Sequence, residues 1–416
     1  MVTQPAQAIV SFEQARHIVE QHASQVPPGP AETIDLIAAV GRVLAEEIHA
    51  DRDSPPFPRA TRDGFAVRAI DVTQVPATLT VIGEIRAGAS PAESALQVGS
   101  RQAVEIMTGA PMPAGADAVV MVEYTQRDGD RVEIQRSATS GENVVPRGSE
   151  CKAEQLLLSA GARLTPAAIG LAASVGKAQL SVYARPRVAI LSTGDEVIDV
   201  ASSPEPNQIR NSNTYSLAAQ LQSAGAIPLM LPIAPDRAEP LRELIEEGLE
   251  ADLLLLSGGV SMGKYDLVEQ IFAELEAEFF FTGAQIQPGK PIVFGRASAS
   301  ATEKATYFFG LPGNPVSTMV CFELFARPMI EALGGGSPTP LRFLQARLKS
   351  DVKTKTGLTR FLPAQLSGAF ANVEVELVRW QGSGDMVSTA RANCYLVIPP
   401  DRERITAGEM VSVLPI

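Results

Sequence analysis

Acidic side chains and glycine turns are the parts of this chain best suited to chemistry, and they gather around residues 252–266, DLLLLSGGVSMGKYD. Four consecutive leucines, Leu253 to Leu256, fit a strand buried on both faces, the pattern of a parallel sheet. The chain then breaks at Ser257, Gly258 and Gly259, passes Ser261 and Gly263, and reaches Asp266, where an apolar helical pattern begins. A glycine turn from a strand end into a helix exposes backbone N–H groups that can hold an anion. Such turns also serve simply to reverse direction, so the neighbouring loops decide the meaning.

Those loops are residues 192–196 (STGDE), Pro235-Asp236, and residues 311–317 (LPGNPVS). With the central stretch they offer Asp195, Glu196, Asp236 and Asp266, glycine turns, and helix N-termini. Carboxylates beside anion-binding backbone describe a site where Mg²⁺ bridges protein and a phosphate-like ligand. A structural reading stands next to this one. Asp236 and Asp266 each precede a glutamate, Glu239 and Glu269, at capping-box spacing. The two roles are compatible, because a capping carboxylate can keep one oxygen free. Asp195 fits a turn residue, and Lys264 and Lys290 are the cations near these loops.

The elements that must position the loops follow from hydrophobic period. From Arg187 strands alternate with helices, the mark of a doubly wound, mostly parallel sheet. Strands are expected at 188–191, 227–231, 253–256, 291–294 and 307–309, and helices at 214–223, 237–249, 266–277 and 315–333. In such a sheet ligands bind outside the carboxyl ends of the strands. Upstream, residues 11–24 predict an amphipathic helix capped by Ser11, with Phe12, Ala15, Ile18 and Val19 inward, and a second helix is expected from Asp35 to Val43. Residues 51–68, DRDSPPFPRATRDGFAVR, are too proline-rich for regular structure before Phe65, and Asp63-Gly64 signals a turn. Strands near 78–85, 102–106, 117–123 and 131–135 follow, interrupted by a loop in which Thr108 offers a hydroxyl beside a turn. Residues 153–178 are helix-compatible, with Thr165-Pro166 as a start. A linker at 334–340 leads into a closing β domain with a turn cluster at Gln381–Gly384.

At 416 residues the chain should form two to four domains. A 45% apolar, 20% charged composition suits a soluble globular protein, and a formal charge of −12 argues against nucleic-acid binding. No stretch has the apolar length of a membrane span or a signal-peptide core. Cys151, Cys321 and Cys394 are widely spaced and odd in number, which points to a reducing cytoplasm. His17, His22 and His49 are too few and too clustered for a histidine-rich zinc site or a Ser-His-Asp triad.

Seven stretches in order resemble the MoeA family of molybdopterin molybdenumtransferases, relatives of the gephyrin E domain. They are SPPF…RDGFAVR at 54–68, residues 106–123, RVAILSTGDEV at 187–197, IRNSN at 209–213, SGGVSMGKYD at 257–266, QPGKP at 287–291 and GLPGNPVS at 310–317. The resemblance implies a multidomain α/β protein in four parts. Domain I comprises 7–50 and 145–181 and is extended and helical; domain II, an inserted β domain, spans 51–144. Domain III, the α/β molybdopterin-binding domain, spans 182–335, and domain IV, a C-terminal β-barrel-like domain, spans 336–416. It implies a homodimer whose cleft joins domain II of one subunit to domains III and IV of the other. The implied reaction inserts molybdate into adenylylated molybdopterin and releases AMP with Mg²⁺. Further implied partners are the molybdopterin adenylyltransferase and molybdoenzyme chaperones, with no nucleic acid and no membrane.

Carried over residue by residue, the resemblance assigns catalysis to Asp63, Thr108, Glu196, Asp236 and Asp266, the last three also as metal ligands. Cofactor contacts fall on Ser257, Gly258, Gly259, Ser261, Gly263, Lys290, Pro312, Gly313, Asn314 and Ser317, with Arg360 and Ser383 from the closing domain. The chain departs from the family pattern at Pro58-Arg59-Ala60, Arg62, Val145, Gln287 and Leu358, although Arg147 and Arg360 lie close by. These departures bear on the molybdate site more than on the nucleotide side. Competing readings are a molybdopterin adenylyltransferase-like or pyrophosphatase enzyme on the same sheet domain, and a non-catalytic molybdopterin-binding scaffold.

Overall fold

The structure, a computed structural model, describes residues 9–90, 92, 95–259, 267–299, 304–338 and 340–416. The chain divides into two compact units, one formed by residues 46–160 and 166–178, the other by the remainder.

In the smaller unit a mixed sheet runs in the order Ala118–Met121, Gly64–Val67, Gln102–Ile106, Ala77–Ile85, Arg131–Ile134, Thr125–Asp128. Gly64–Val67 lies inside the sheet, antiparallel to both neighbours. Its consecutive residues therefore feed two cores. Phe65 and Val67 pack with Leu79, Val120 and Val132, while Ala66 packs with Ile85, Val104 and Val119. Gly64 is required here, since a Cβ would stand 2.0 Å from the Val120 carbonyl oxygen. The segment read as helix-compatible, 153–178, is split. Leu156–Leu158 pairs as a strand with Ile48–His49, and the helix is confined to Pro166–Ser174, opening at the expected proline.

The larger unit opens with the helix Phe12–Ala23, whose Ser11 and Gln14 form a reciprocal capping box and whose Phe12, Ala15 and Val19 are buried. The second expected helix is a correction. Ala31–Asp35 is a strand paired with Gln179–Tyr183, and only Leu36–Ala39 coils, as a single 3₁₀ turn. Past that turn the chain is extended, with Val43 and Leu44 bridging to Arg163 and Val182, and pairing with distant segments outweighs local helical period.

The main sheet runs in the order Ile227–Met230, Arg187–Ser192, Leu253–Ser257, Ala305–Leu311, Val293–Ser298, Glu278–Phe281. The first four strands are parallel and the last two are antiparallel additions. The tetraleucine strand shows why it carries no polar alternation. Leu253 and Leu255 pack on one face against the helices Ser212–Ser223 and Pro315–Cys321, while Leu254 and Leu256 pack on the other against Ala238–Leu249 and Leu267–Glu274. The long helix expected over 315–333 is continuous in space but includes a π-helical turn, Phe322–Ala326. Buried Arg16 donates from Nη1 to the Leu324 carbonyl inside that turn.

The closing part is a barrel of five strands. Thr359–Ser367 pairs with both Glu374–Leu377 and Cys394–Ile398, and Leu344–Leu348 and Met410–Pro415 complete the ring. The turn cluster at 381–384 leads into a short helix, Met386–Arg391, capped by Asp385.

Candidate active site

At the carboxyl edge of the parallel strands the loops converge on a cavity of about 500 Å³, lined among others by Glu196, Asp236, Ser257, Gly258, Gly259, Pro312, Gly313 and Asn314. Glu196 and Asp236 thus stand on one rim although forty positions of chain separate them. Asp236 does not cap a helix, which corrects the capping-box reading. The next helix starts at Ala238 with Arg237 at the N-cap and no side-chain cap. Instead, Asp195 Oδ1 accepts the Asp236 backbone N–H at 3.1 Å, fixing the loop, while the side chain of Asp236 is exposed. The Glu196 and Asp236 carboxylates make no hydrogen bond or ion pair among the described residues. Asp266, Ser261 and Gly263 lie outside the described residues.

The loops hold one another through backbone. Thr193 N–H donates to the Ser257 carbonyl, Gly194 N–H to Ala234, and Gly258 N–H to Leu311. Gly258 has φ +94°, and a Cβ there would stand 2.9 Å from the Thr193 carbonyl oxygen, so glycine is a packing requirement as well as a turn signal. Asn213 Nδ2 donates to both Ser257 Oγ and the Gly313 carbonyl at 2.8 Å, tying the serine-glycine turn to the proline-glycine loop. Thr193 and Asn213 line the cavity, while Thr193 Oγ1 and Asn213 Oδ1 are themselves buried with no hydrogen-bond partner among the described residues. An unpaired buried polar atom costs about 1–3 kcal/mol.

Other expected contacts sit around this cavity in different ways. Pro291 lines it, because Val293–Ser298 runs against the parallel strands and so begins at their carboxyl edge. Lys290, one residue earlier, is exposed, and its side chain has no partner among the described residues. The preceding Gly289 packs on buried Cys321, whose Sγ would stand 2.4 Å from a Cβ at 289. Burial pushes the Cys321 thiol far up, which makes it a spacer rather than a nucleophile. Arg360 is buried, pairs in register with Gln287, and donates to the Leu358 carbonyl at 3.0 Å. Ser317 is buried within its helix, away from the cavity lining, and the Ser383 carbonyl accepts the Val316 N–H at 3.0 Å.

In the smaller unit Asp63 and Thr108 meet directly. Asp63 Oδ1 accepts the Thr108 N–H and hydroxyl, both at 2.7 Å. The backbone N–H and then the hydroxyl hold the Asp63 carboxyl below the usual carboxylate range.

Sequence reasoning missed Thr193 and Asn213 as functional residues. Thr193 lies in the strand-edge loop 192–196, where the acids drew attention, and Asn213 in a stretch singled out only for resemblance; only the unpaired atoms in the folded chain distinguish them.

The two exposed carboxylates, the paired glycines and the surrounding loops define a multidomain α/β protein with an oxygen-rich cleft at its strand edge. Three family models cover most of the chain: the MoeA N-terminal region (domain I and II) over residues 10–176, a probable molybdopterin binding domain over 189–332, and the MoeA C-terminal region (domain IV) over 345–416. A molybdopterin molybdenumtransferase of Nostoc sp. is 37% identical over 404 residues, covering 92% of this chain and 88% of the relative. One of Bacillus subtilis is 34% identical over 396 residues, covering 93% and 90%. A crystal structure of the molybdopterin biosynthesis moeA protein from Pyrococcus horikoshii OT3 superposes with a TM-score of 0.81 at 28% identity, covering 98% of this chain and 100% of that one. The chain belongs to the molybdopterin molybdenumtransferase family and is an enzyme of molybdenum cofactor biosynthesis.

Proposed function

We propose that the protein inserts molybdate into adenylylated molybdopterin and releases AMP at the strand-edge cavity of its larger unit. The observation that carries this reading is the meeting of Glu196 and Asp236, unpaired among the described residues, with the Ser257-Gly258-Gly259 turn. The donor set fits Mg²⁺: two carboxylates suffice, because this ion is commonly held by one or two carboxylates plus substrate phosphate oxygens. Glu196 and Asp236 would hold it, together with Asp266; among the described residues there is no group of three His, Cys, Asp or Glu side chains that could do so alone. When bound, Mg²⁺ supplies charge neutralisation at the phosphoanhydride. The serine-glycine turn and the loop before Pro315 orient the anionic groups, and buried Leu256 and Leu311 anchor the strand ends that carry those loops.

Lys290, Ser317, Arg360 and Ser383 are read as the molybdate and pterin side of the site, supported by the pairing of Gln287 with Arg360 and of Val316 with Ser383. Asp63 and Thr108 are read as contributing from the smaller unit of a homodimer partner. The four-part division of the chain, cytoplasmic location and exchange of product with molybdoenzyme chaperones belong to the same reading. The free state of Cys151, Cys321 and Cys394 supports a reducing compartment, and no helix among the described residues is long and apolar enough to cross a membrane. The test is direct: purified protein, adenylylated molybdopterin, molybdate and Mg²⁺ should yield AMP, and omission of Mg²⁺ should stop it. A Mg²⁺-independent release would strip Glu196 and Asp236 of their part as metal ligands. Light scattering tests the dimer, which a monomeric active species would overturn.

A further inference from the structure

The closing barrel carries a second hollow of about 880 Å³, open to solvent and lined by Arg379, Arg391 and the chain's only tryptophan, Trp380. Trp380 is half-buried: it packs against the barrel core and keeps part of its surface outside that core. Arg379 and Arg391 are exposed, and neither side chain has a hydrogen bond or ion pair among the described residues. Asp385 also lines the hollow, but its carboxylate braces the turn, accepting the backbone N–H of Gln381 at 3.0 Å and of Ser388 at 3.1 Å. A Cβ at Gly382 or Gly384 would meet nothing within 4 Å, so the backbone of this wall stands beside open space. The hollow thus combines two uncommitted guanidinium groups, an aromatic surface and room. In a chain of formal charge −12, such a pair draws an anion by local charge rather than by the overall field.

We propose that this hollow binds a flat heterocycle carrying a phosphate, with Trp380 as the stacking surface and Arg379 and Arg391 as counter-charges to the phosphate. Stacking of a base on an aromatic side chain is worth about 1–3 kcal/mol, and the guanidinium fork matches phosphate oxygens. A bare phosphate would not use Trp380, and an uncharged ring would not use the arginines. The hollow and the strand-edge cavity adjoin one contact: the Val316 N–H donates to the Ser383 carbonyl at 3.0 Å, with Pro315 lining the cavity and Gly382 and Gly384 lining the hollow. This deepens the proposed function and rests on it for the source of the ligand. Adenylylated molybdopterin carries two flat rings attached to phosphate, the pterin heterocycle and adenine, and the chemistry at the hollow is the same for both.

Because Trp380 is the only tryptophan, the indole emission of the full-length protein reports on this hollow. One arm titrates hydroxymethylpterin phosphate against hydroxymethylpterin; the other titrates AMP against adenosine, with light absorption by the ligands corrected on free N-acetyltryptophanamide. A phosphorylated ligand should change the emission saturably and bind roughly tenfold or more tightly than its dephosphorylated form, and the pair that does so identifies the ring. In the double variant Arg379→Gln, Arg391→Gln that preference should fall to within about twofold. By calorimetry, Trp380→Leu should bind the same ligand roughly tenfold more weakly, and Trp380→Phe should restore most of the loss. Unmoved emission with all four ligands, equal affinities within both pairs, an undiminished preference in the arginine variant, or full affinity in Trp380→Leu overturns the proposal. Should Trp380→Leu fail to fold, the arginine variant decides alone, since both substituted side chains are exposed. AMP release from adenylylated molybdopterin, measured on the same wild-type protein, separates the two claims. Release with an unresponsive tryptophan removes this proposal alone, whereas a responsive tryptophan without release removes the proposed reaction and leaves the hollow its ligand.

Discussion

Asp63 and Glu196 are both exposed acids beside a glycine turn, one in each unit, yet the fold treats them differently. Asp63 is engaged by its own unit: one oxygen takes two hydrogen bonds from Thr108, and the carboxyl is held acidic by them. Glu196, with Asp236 across the rim, has no such partner among the described residues and faces the cavity. The difference follows from the sheets beneath. In the smaller unit, the antiparallel neighbours of Gly64–Val67 bring a loop hydroxyl directly against the acid. In the larger unit parallel strands all end at one edge, and their loops are braced by backbone bonds that leave side chains uncommitted. A carboxylate without a protein partner is wholly available to a cation or ligand, while Asp63 is oriented through Oδ1.

The largest expected effect breaks the comparison if it fails. Glu196→Gln or Asp236→Asn should reduce AMP release on the order of 100-fold or more, because charge neutralisation at the phosphoanhydride is worth several kcal/mol. Melting temperature should move by no more than about 1 °C, since no intramolecular bond among the described residues is lost. A large fall in melting temperature would show that these acids are structural. Next in size, Gly258→Ala should destabilise by roughly 1–3 kcal/mol in denaturant unfolding, from the positive φ and the contact with the Thr193 carbonyl. Unchanged stability would mean that the turn does not rest on Thr193.

Smaller effects sharpen the contrast on the Asp63 side. Thr108→Val deletes one of its two hydrogen bonds, so the Asp63 carboxyl should titrate closer to its ordinary value when followed by NMR. A depressed folded-state pKa contributes stability that is present above the unfolded value of about 3.9 and disappears as pH falls through the folded one. The stability gap between wild type and Thr108→Val should accordingly be full at neutral pH and close in acid. An unshifted Asp63 titration would assign the effect to the backbone N–H alone. Asp63→Asn should lower the melting temperature slightly, in contrast to Glu196→Gln, and equal behaviour of the two variants would erase the distinction.

Much of the sheet domain was legible because its signals are local. Four leucines with no polar alternation announce a strand covered on both sides, and Pro315 after Asn314 announces a helix start. The end of the helix expected from Asp35 to Val43 was not legible, since only Leu36–Ala39 coils and Val43 and Leu44 bridge to Arg163 and Val182, far along the chain. The capping-box reading of Asp236 failed for a similar reason. Spacing to Glu239 is a local pattern, but the Asp236 N–H donates to Asp195 Oδ1 across the strand edge, and the helix begins only at Ala238.

By itself the amino-acid sequence determined the alternation of strands and helices, the acids and glycines available at loop positions, and the resemblance that named the family. Those are properties of residue type and spacing, which neighbours along the chain suffice to set. Only the tertiary structure decided which acids remain uncommitted, that Glu196 and Asp236 share a cavity, and that Asn213 ties the serine-glycine turn to the proline-glycine loop. Each depends on what a side chain meets from a distant segment, and hydrogen bonds made across such distances leave no period to read.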